Sequence, residues 1–502
     1  MAKLTKILQK ELEEACSAGH LGPVESIATR VPFYSWKRDA VGSLMYIAAK
    51  NGHAEIVGWL VQQNSTNHLL TTEIFYEALV AAIDSSHVNV VIVLVREAGM
   101  YDDAVHYAIE KGNKIILSCL MSYHSNLAIM RAAENGSVEI LRWMVTTFRA
   151  KPDVAFNNNE AIRRAAENGN LDVVRWLVEK SGQKVDVTAK NNLALCLAAE
   201  NGHLAVVKWL VFESDKVVVI ADQNNYALRK AAENGHLEVV KFLVKDSNQV
   251  CDVAVDDNII IRQAAENGHL EVVRWLVEEC EQEVNPTAVD NHAVKGAANQ
   301  GHLEVVKYLV SGAHVARQAV ASVTPSFKYS GWKVDATAGG NRAIRIAAEN
   351  GYFDIVKWLI KESGQPVDIT VDNDVVLRTV IERDRGRDDR LEIVKWIICE
   401  SGQPVNIPAL PYFTSSFYLS LADKVLEYLI LIKSILEHTT LENIQRYPEM
   451  VEQIEKDPEQ IEVYVHVNLK DDELQSIAES RYTPAFRRGG GAPKFRMLNT
   501  RI

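Results

Sequence analysis

The chain holds 502 residues, 47% of them hydrophobic, and its 66 acidic against 54 basic side chains leave a formal net charge of −12. That sign argues against general affinity for nucleic acid or an anionic membrane, and no apolar run is long enough for a signal segment after Met1 or for a bilayer span. Six widely separated cysteines without a Cys-x-x-Cys pair point to a reducing compartment rather than a disulfide framework.

From the N-terminus onward one segment returns, fullest at residues 231–244 as Ala-Ala-Glu-Asn-Gly-His-Leu-Glu-Val-Val-Lys-Phe-Leu-Val. Its copies start at Ala15, Ala48, Ala82, Ala108, Ala132, Ala165, Ala198, Ala231, Ala264, Ala297, Ala347 and Val380, and seven of the eleven steps are 33 residues. A fixed period of this length marks a stack of one supersecondary unit. The steps of 26 and 24 residues after Ala82 and Ala108 predict trimmed connecting loops. The array from 132 to 310 is even; the 50-residue step after Ala297 then places an insertion near 312–328, and a mixed-charge insertion at 384–390 breaks the last clear copy. After Ile398 the motif fades into a degenerate cap at 417–437. An acidic stretch of short helices is predicted at 438–480 and a basic, disordered tail at 481–502.

Within one copy, residues 225–234 read as a first helix and 236–244 as a second, with Gly235 suited to the left-handed conformation that ends a helix. Paired Ala231 and Ala232 allow close approach of neighbouring first helices, and Leu237, Val239, Val240 and Leu243 form an apolar stripe. An Asn recurs ahead of each first helix, at Asn126, Asn159, Asn192, Asn225, Asn258, Asn291 and Asn341, where an N-cap is expected.

The motif Gly-His-Leu-Glu-Val-Val, intact at 235–240, 268–273 and 301–306, resembles the ankyrin repeat over roughly residues 1–437. The resemblance implies an all-α solenoid of about 12–13 helix-turn-helix units with hairpin loops, a protein-binding role, and a structural hydrogen-bonding role for the repeated His. The family's usual Thr-Pro-Leu-His helix start is replaced by Asn-x-Ala-(Ile/Leu/Val)-(Arg/Lys), a style similar to ankyrin arrays of giant viruses, protists and intracellular bacteria.

Three columns need a reading. Trp59, Trp143, Trp176, Trp209, Trp275, Trp358 and Trp396 share one slot among Val and Leu, which favours core packing over base stacking. His20, His53, His87, His203, His236, His269 and His302 fall one per copy without Cys or carboxylate at ligand spacing, so no metal is expected. Arg163 and Glu167, Arg229 and Glu233, Arg262 and Glu266, and Arg345 and Glu349 stand four apart and are expected to pair.

No nucleophile, carboxylate pair or phosphate loop stands out, and no cofactor is expected. The chain reads as a non-enzymatic, monomeric, cytoplasmic scaffold for another protein, with no nucleic-acid or membrane partner; the alternative is an enzyme or modifier whose active part is 438–502. If it comes from an intracellular bacterium, the tail suits secretion into host cytosol. Partner contact is expected where the fixed frame carries changing residues, at Glu160, Asp222, Tyr226, Asp256, Ile259, Val289, His292 and Arg342 on a concave face.

Overall fold

A computed structural model describes residues 6–148, 151–214, 216–312 and 333–369, together with 376, 396, 397 and 401. The described residues are helical, with no strand among them. The chain divides into two compact units, Met1–Asp252 and Val253–Ile502. The insertion expected near 312–328, apart from Gly312, and that at 384–390, the cap, the acidic stretch and the tail lie outside the described residues.

In the first unit, eight helix pairs follow one another from Lys6–Ala18 to Asp222–Glu233 with Leu237–Lys241. The second unit describes three more, ending at Ala338–Asn350 with Phe353–Lys361. First helices lie side by side, Phe156–Glu167 against Ala189–Glu200 in one unit and Val255–Glu266 against Ala288–Gln300 in the other. The Ala pairs make this possible: Ala165, Ala166, Ala198 and Ala199 are fully buried, as are Ala264 and Ala265. Within each unit every helix presents one apolar stripe, which only its neighbours can cover, so stability is shared between adjacent copies.

The short steps are real contractions. Val88–Ala98 is joined to Tyr101–Glu110 by two residues alone, and Lys114–Glu134 contains two helices meeting at a kink on His124 (φ −146°, ψ 76°) with no hairpin between. Tyr101 replaces the hairpin there, its hydroxyl donating to Leu120 O at 2.8 Å and its ring meeting His124 edge-on at 5.1 Å. In the copies at 237 and 303 the second helix ends in a π-turn, Phe242–Asp246 and Tyr308–Gly312.

The tryptophan column is core. Trp176, Trp209, Trp275, Trp358 and Trp396 are buried, as is Phe242 in the same slot, while Trp59 and Trp143 are half-buried. The histidine column is structural: Nε2 of His53, His87, His203 and His236 donates to Ser17 O, Lys50 O, Glu167 O and Glu200 O, each at 2.9 Å and each in the preceding copy. Their rings lie on the left-handed glycine that ends the preceding first helix. A Cβ on Gly202 would stand 2.5 Å from His236 Nδ1, so φ +76° and the close ring both require glycine there.

Candidate protein-interaction surface

The residues ahead of each first helix carry the least expected geometry. Asn157, Asn158 and Asn159 all adopt left-handed conformations (φ 51°, 55° and 60°), and so do 190–192, 223–225, 256–258, 289–291 and 339–341. Each triplet closes a left-handed turn, Asn159 N donating to Ala155 O at 3.0 Å and Asn291 N to Thr287 O at 2.9 Å. Left-handed backbone costs most residues about 1–2 kcal/mol each, and Asn, Asp and Gly least. The triplets accordingly read Asn-Asn-Asn, Lys-Asn-Asn, Gln-Asn-Asn, Asp-Asp-Asn, Val-Asp-Asn and Gly-Gly-Asn.

The last Asn of each triplet is therefore not a helix cap, which corrects the sequence expectation for Asn159, Asn192, Asn225, Asn258, Asn291 and Asn341. None of these helices has a side-chain cap, and the six Asn are buried. Their amides reach the hairpin of the next copy: Asn159 Oδ1 accepts from Asp186 N at 2.9 Å, Asn258 Oδ1 from Asn285 N at 2.7 Å and Asn291 Oδ1 from Asp335 N at 3.0 Å, while Asn341 Nδ2 donates to Asp368 O at 2.8 Å. Asn192 Nδ2 donates to Asp222 Oδ2 at 2.8 Å. At Asn225, Nδ2 donates to Asp252 O at 3.3 Å and Oδ1 accepts from the Cys251 thiol at 3.0 Å. The side chain turns away because a left-handed Asn points toward the neighbouring hairpin rather than over its own helix.

The expected Arg–Glu pairing also differs at Arg163 and Arg262. Arg163 donates to Asn157 O at 2.8 Å and lies 3.7 Å from Glu160, and Arg262 donates to Asp256 O and Asp257 O at 2.9 and 3.1 Å. This slot closes the left-handed turn, whose outward carbonyls have no helical partner; in the copy at 297 its Lys295 instead pairs with the Asp290 carboxylate of the turn. It is Arg164 that pairs along the helix, with Glu167 at 3.1 Å.

A third ladder joins the hairpins. Gln183 donates to Pro152 O at 2.8 Å and accepts from Val154 N at 3.1 Å; Gln249 does the same to Val218 and Ile220, and Gln365 to Val334 and Ala336. Asp186 supports its own hairpin, accepting from Thr188 N and Oγ1, and the hydroxyl bond holds its carboxyl below the usual carboxylate range.

Among the residues expected to meet a partner, Asp256, Val289 and Arg342 are exposed, and Glu160, Asp222, Tyr226, Ile259 and His292 are half-buried. Glu160, Tyr226, Ile259, His292 and Arg342 hold the same position, the start of the right-handed first helix, in their own copies. Glu160, Asp222 and Tyr226 belong to the first unit and the other five to the second. Some carry framework duties. Asp222 accepts from Asn192, Glu160 pairs with Arg163 and Arg164, and Tyr226 lies under Arg229 and Lys230 at 6.0 and 5.9 Å. Ile259 and Val289 offer apolar surface.

One patch went unnoticed in the sequence. Phe212, Val217, Val219 and Val250 are exposed by 51, 83, 47 and 90%. Adding or subtracting the 33-residue period, the matching positions hold Glu179 for Phe212, Lys184 and Glu283 for the two tip valines, and Asp186 and Asp252 for Val219. Charged residues thus satisfy these positions elsewhere; Phe212 also meets the buried Phe242 ring edge-on at 5.4 Å, while the three valines stand exposed in two adjacent copies. Aligning the copies column by column is the signal that would have found it.

For chemistry the described residues offer little. No group of His, Cys, Asp and Glu suited to a metal occurs among them, and burial pushes the thiols of Cys16, Cys196 and Cys251 up to about 12, far from a reactive thiolate. No described helix is long and apolar enough to cross a membrane.

Ankyrin repeats, in windows of three copies, match residues 105–191, 129–222, 162–257, 195–290, 228–319 and 261–373. Together they span 105–373, over half of the chain. This is an ankyrin-repeat protein. From 129 to 162, 195, 228 and 261 the windows advance by 33 residues, and from 105 to 129 by 24, which reproduces both the regular period and the contracted step. Ankyrin repeats are in general protein–protein interaction modules and the family is typically non-enzymatic. No curated protein matches the chain.

Proposed function

We propose that this ankyrin protein is a non-enzymatic scaffold that holds a partner protein on the first-helix starts and hairpin tips of its repeats. The supporting observation is a division of labour within the repeat. Asn, Gln, His and Gly positions are committed to bonds between copies, whereas the helix-start slot changes from Glu160 to Tyr226, Ile259, His292 and Arg342. In the first unit, Val217, Val219 and Val250, beside the half-exposed Phe212, add exposed apolar area. The described cysteines are all free thiols, four of the five buried, which suits a cytoplasmic setting.

The test separates the two units. Tyr226→Ala and Val217→Asp/Val250→Asp probe the first, and Ile259→Ala with His292→Ala the second, each against a cross-linked or co-purified partner with circular dichroism as the folding control. Anchors should weaken binding by more than about 1 kcal/mol each. Unchanged affinity in all of them, with loss only on removing 438–502, places binding elsewhere. The finer reading, a host-directed effector or substrate adaptor, rests on the terminal sequence. Deleting 481–502 should abolish delivery in a translocation reporter without lowering thermal stability.

A further inference from the structure

Seven Asn-Gly dipeptides close first helices in this chain, at Asn51, Asn135, Asn168, Asn201, Asn234, Asn267 and Asn350. An Asn followed by Gly is prone to deamidate, because glycine without a Cβ lets its amide nitrogen reach the Asn side-chain carbonyl carbon. In six of the seven the leaving amide is tied to a backbone carbonyl. Nδ2 of Asn51, Asn168, Asn201, Asn234 and Asn267 donates to Ile47 O, Arg164 O, Leu197 O, Lys230 O and Gln263 O at 2.8–3.1 Å, and Asn350 Nδ2 donates to Asn299 O at 3.0 Å. Asn135 differs. Its Nδ2 has no such bond among the described residues, and its Oδ1 accepts from Ser137 Oγ at 2.7 Å.

We propose that Asn135 is the deamidation site of this protein, and that its modification loosens the joint between its repeat and the next. Donation by Ser137 polarises the carbonyl that is attacked and leaves the amide nitrogen unbound to depart. In the step itself, Gly136 N bonds to Asn135 Cγ and gives up its proton, the Cγ–Nδ2 bond breaks, and ammonia leaves. Water then opens the five-membered imide on either side, giving aspartate or isoaspartate with no change of oxidation state. Attack requires Asn135 (φ −76°, ψ −10°) to leave its helical conformation and Gly136 N to release Ala133 O, held at 3.3 Å. All seven sites share a comparable barrier of this kind. What sets Asn135 apart is the missing restraint, and its neighbours on the N-terminal side are the contracted repeats that lack hairpins.

The consequence follows from Asn170. Its Nδ2 donates to Ala133 O at 3.0 Å and Glu134 O at 2.7 Å, gripping the last turn just before the site, and a Cβ on Gly136 would lie 2.8 Å from its Oδ1. Isoaspartate inserts one extra backbone atom between 135 and 136 and adds a negative charge at a helix C-terminus, where the dipole disfavours it. Both disturb that seat.

The experiment incubates the full chain at pH 8 and 37 °C, folded and in denaturant, and follows the seven sites by peptide mapping that separates Asn, Asp and isoAsp. In the folded chain Asn135 should convert about tenfold faster than any other site, the ratio that one hydrogen bond of about 1.4 kcal/mol accounts for. In denaturant all seven should convert at similar rates. Ser137→Ala should slow Asn135 in the folded chain and leave it unchanged in denaturant, and the converted protein should lose hydrogen-exchange protection around 133–134 and 170–171. Uniform conversion of the seven in the folded state, or an Asn135 rate insensitive to Ser137→Ala, overturns the proposal.

Discussion

Replacing Asn258 decides between an asparagine that caps its own helix and one that ties its copy to the next. Asn258 is buried, left-handed (φ 60°, ψ 41°), and accepts from Asn285 N at 2.7 Å. Alanine removes the acceptor and leaves a buried backbone donor unpaired, at about 1–3 kcal/mol. It also puts a Cβ without a compensating polar group into the left-handed region, at about 1–2 kcal/mol. The sum is about 2–5 kcal/mol for Asn258→Ala. Glycine relieves the backbone term, so Asn258→Gly should lose only about 1–3 kcal/mol. Serine is the sharpest probe. It is as good an N-cap as Asn, yet it is too short to reach the next hairpin and poorly suited to the left-handed turn. Asn258→Ser should therefore fall near the alanine variant. Denaturant unfolding gives the totals, and hydrogen exchange at the Asn285 amide reports the bond directly. A serine variant of wild-type stability with the Asn285 amide still protected would refute the ladder and restore the cap.

Hydrogen exchange across the chain should find 72–131, with contracted loops and a left-handed Ser86 in place of the usual glycine, opening before 156–246; equal or better protection of 72–131 would contradict this. Trp209, 1% exposed, should cost about 3–5 kcal/mol when cut to alanine while leaving nucleic-acid affinity unchanged, and salt-sensitive RNA binding lost in that variant would revive base stacking. Alkylation at pH 8.5 should label Cys119 before Cys16, Cys196 and Cys251, whose thiols burial holds protonated up to about 12. The sign for stability is the same in each of these three: the folded state keeps its proton while the unfolded thiol ionises near 9, so stability falls as pH rises from about 9 to 12.

The helices and their order were legible because a 33-residue period with Ala-Ala, Gly-His and Val-Val at fixed offsets leaves one solution for burial. The tryptophan and histidine columns were legible for the same reason, since each recurs in an apolar or glycine context. The triplets before the first helix were not. Asn is both a good N-cap and the residue most tolerant of left-handed backbone, so Asn159 alone supports either reading. The discriminating sign lay one and two positions earlier, in Asp256-Asp257 and Gly339-Gly340, where Asp and Gly recur for backbone reasons. Arg163 was misread with it: its partner is a carbonyl exposed by that turn, which no four-residue spacing rule anticipates.

The three ladders also say where the stack is weakest. Asn, His and Gln each bond from one copy to its neighbour, so losing a rung weakens a joint rather than a unit. The Gln rung is replaced once in the first unit, by Lys216, which lies 3.6 Å from Asp186. The hairpin amide that Gln serves elsewhere is here Val187 N. It belongs to a residue 1% exposed and has no partner among the described residues. A buried, unpaired donor of that kind costs about 1–3 kcal/mol. The corresponding residue three hairpins after it is Pro286, where proline has no N–H to satisfy, and the 33-residue frame puts the next rung inside the insertion that follows Gly312. One missing rung is thus matched by a residue that does not need it, and the other is not. Restoring the rung with Lys216→Gln should therefore stabilise the first unit by about 1 kcal/mol or more and raise protection at the Val187 amide. If stability is unchanged or lower, the Lys216 contact to Asp186 is the better partner for that joint and a Gln rung is not what holds it.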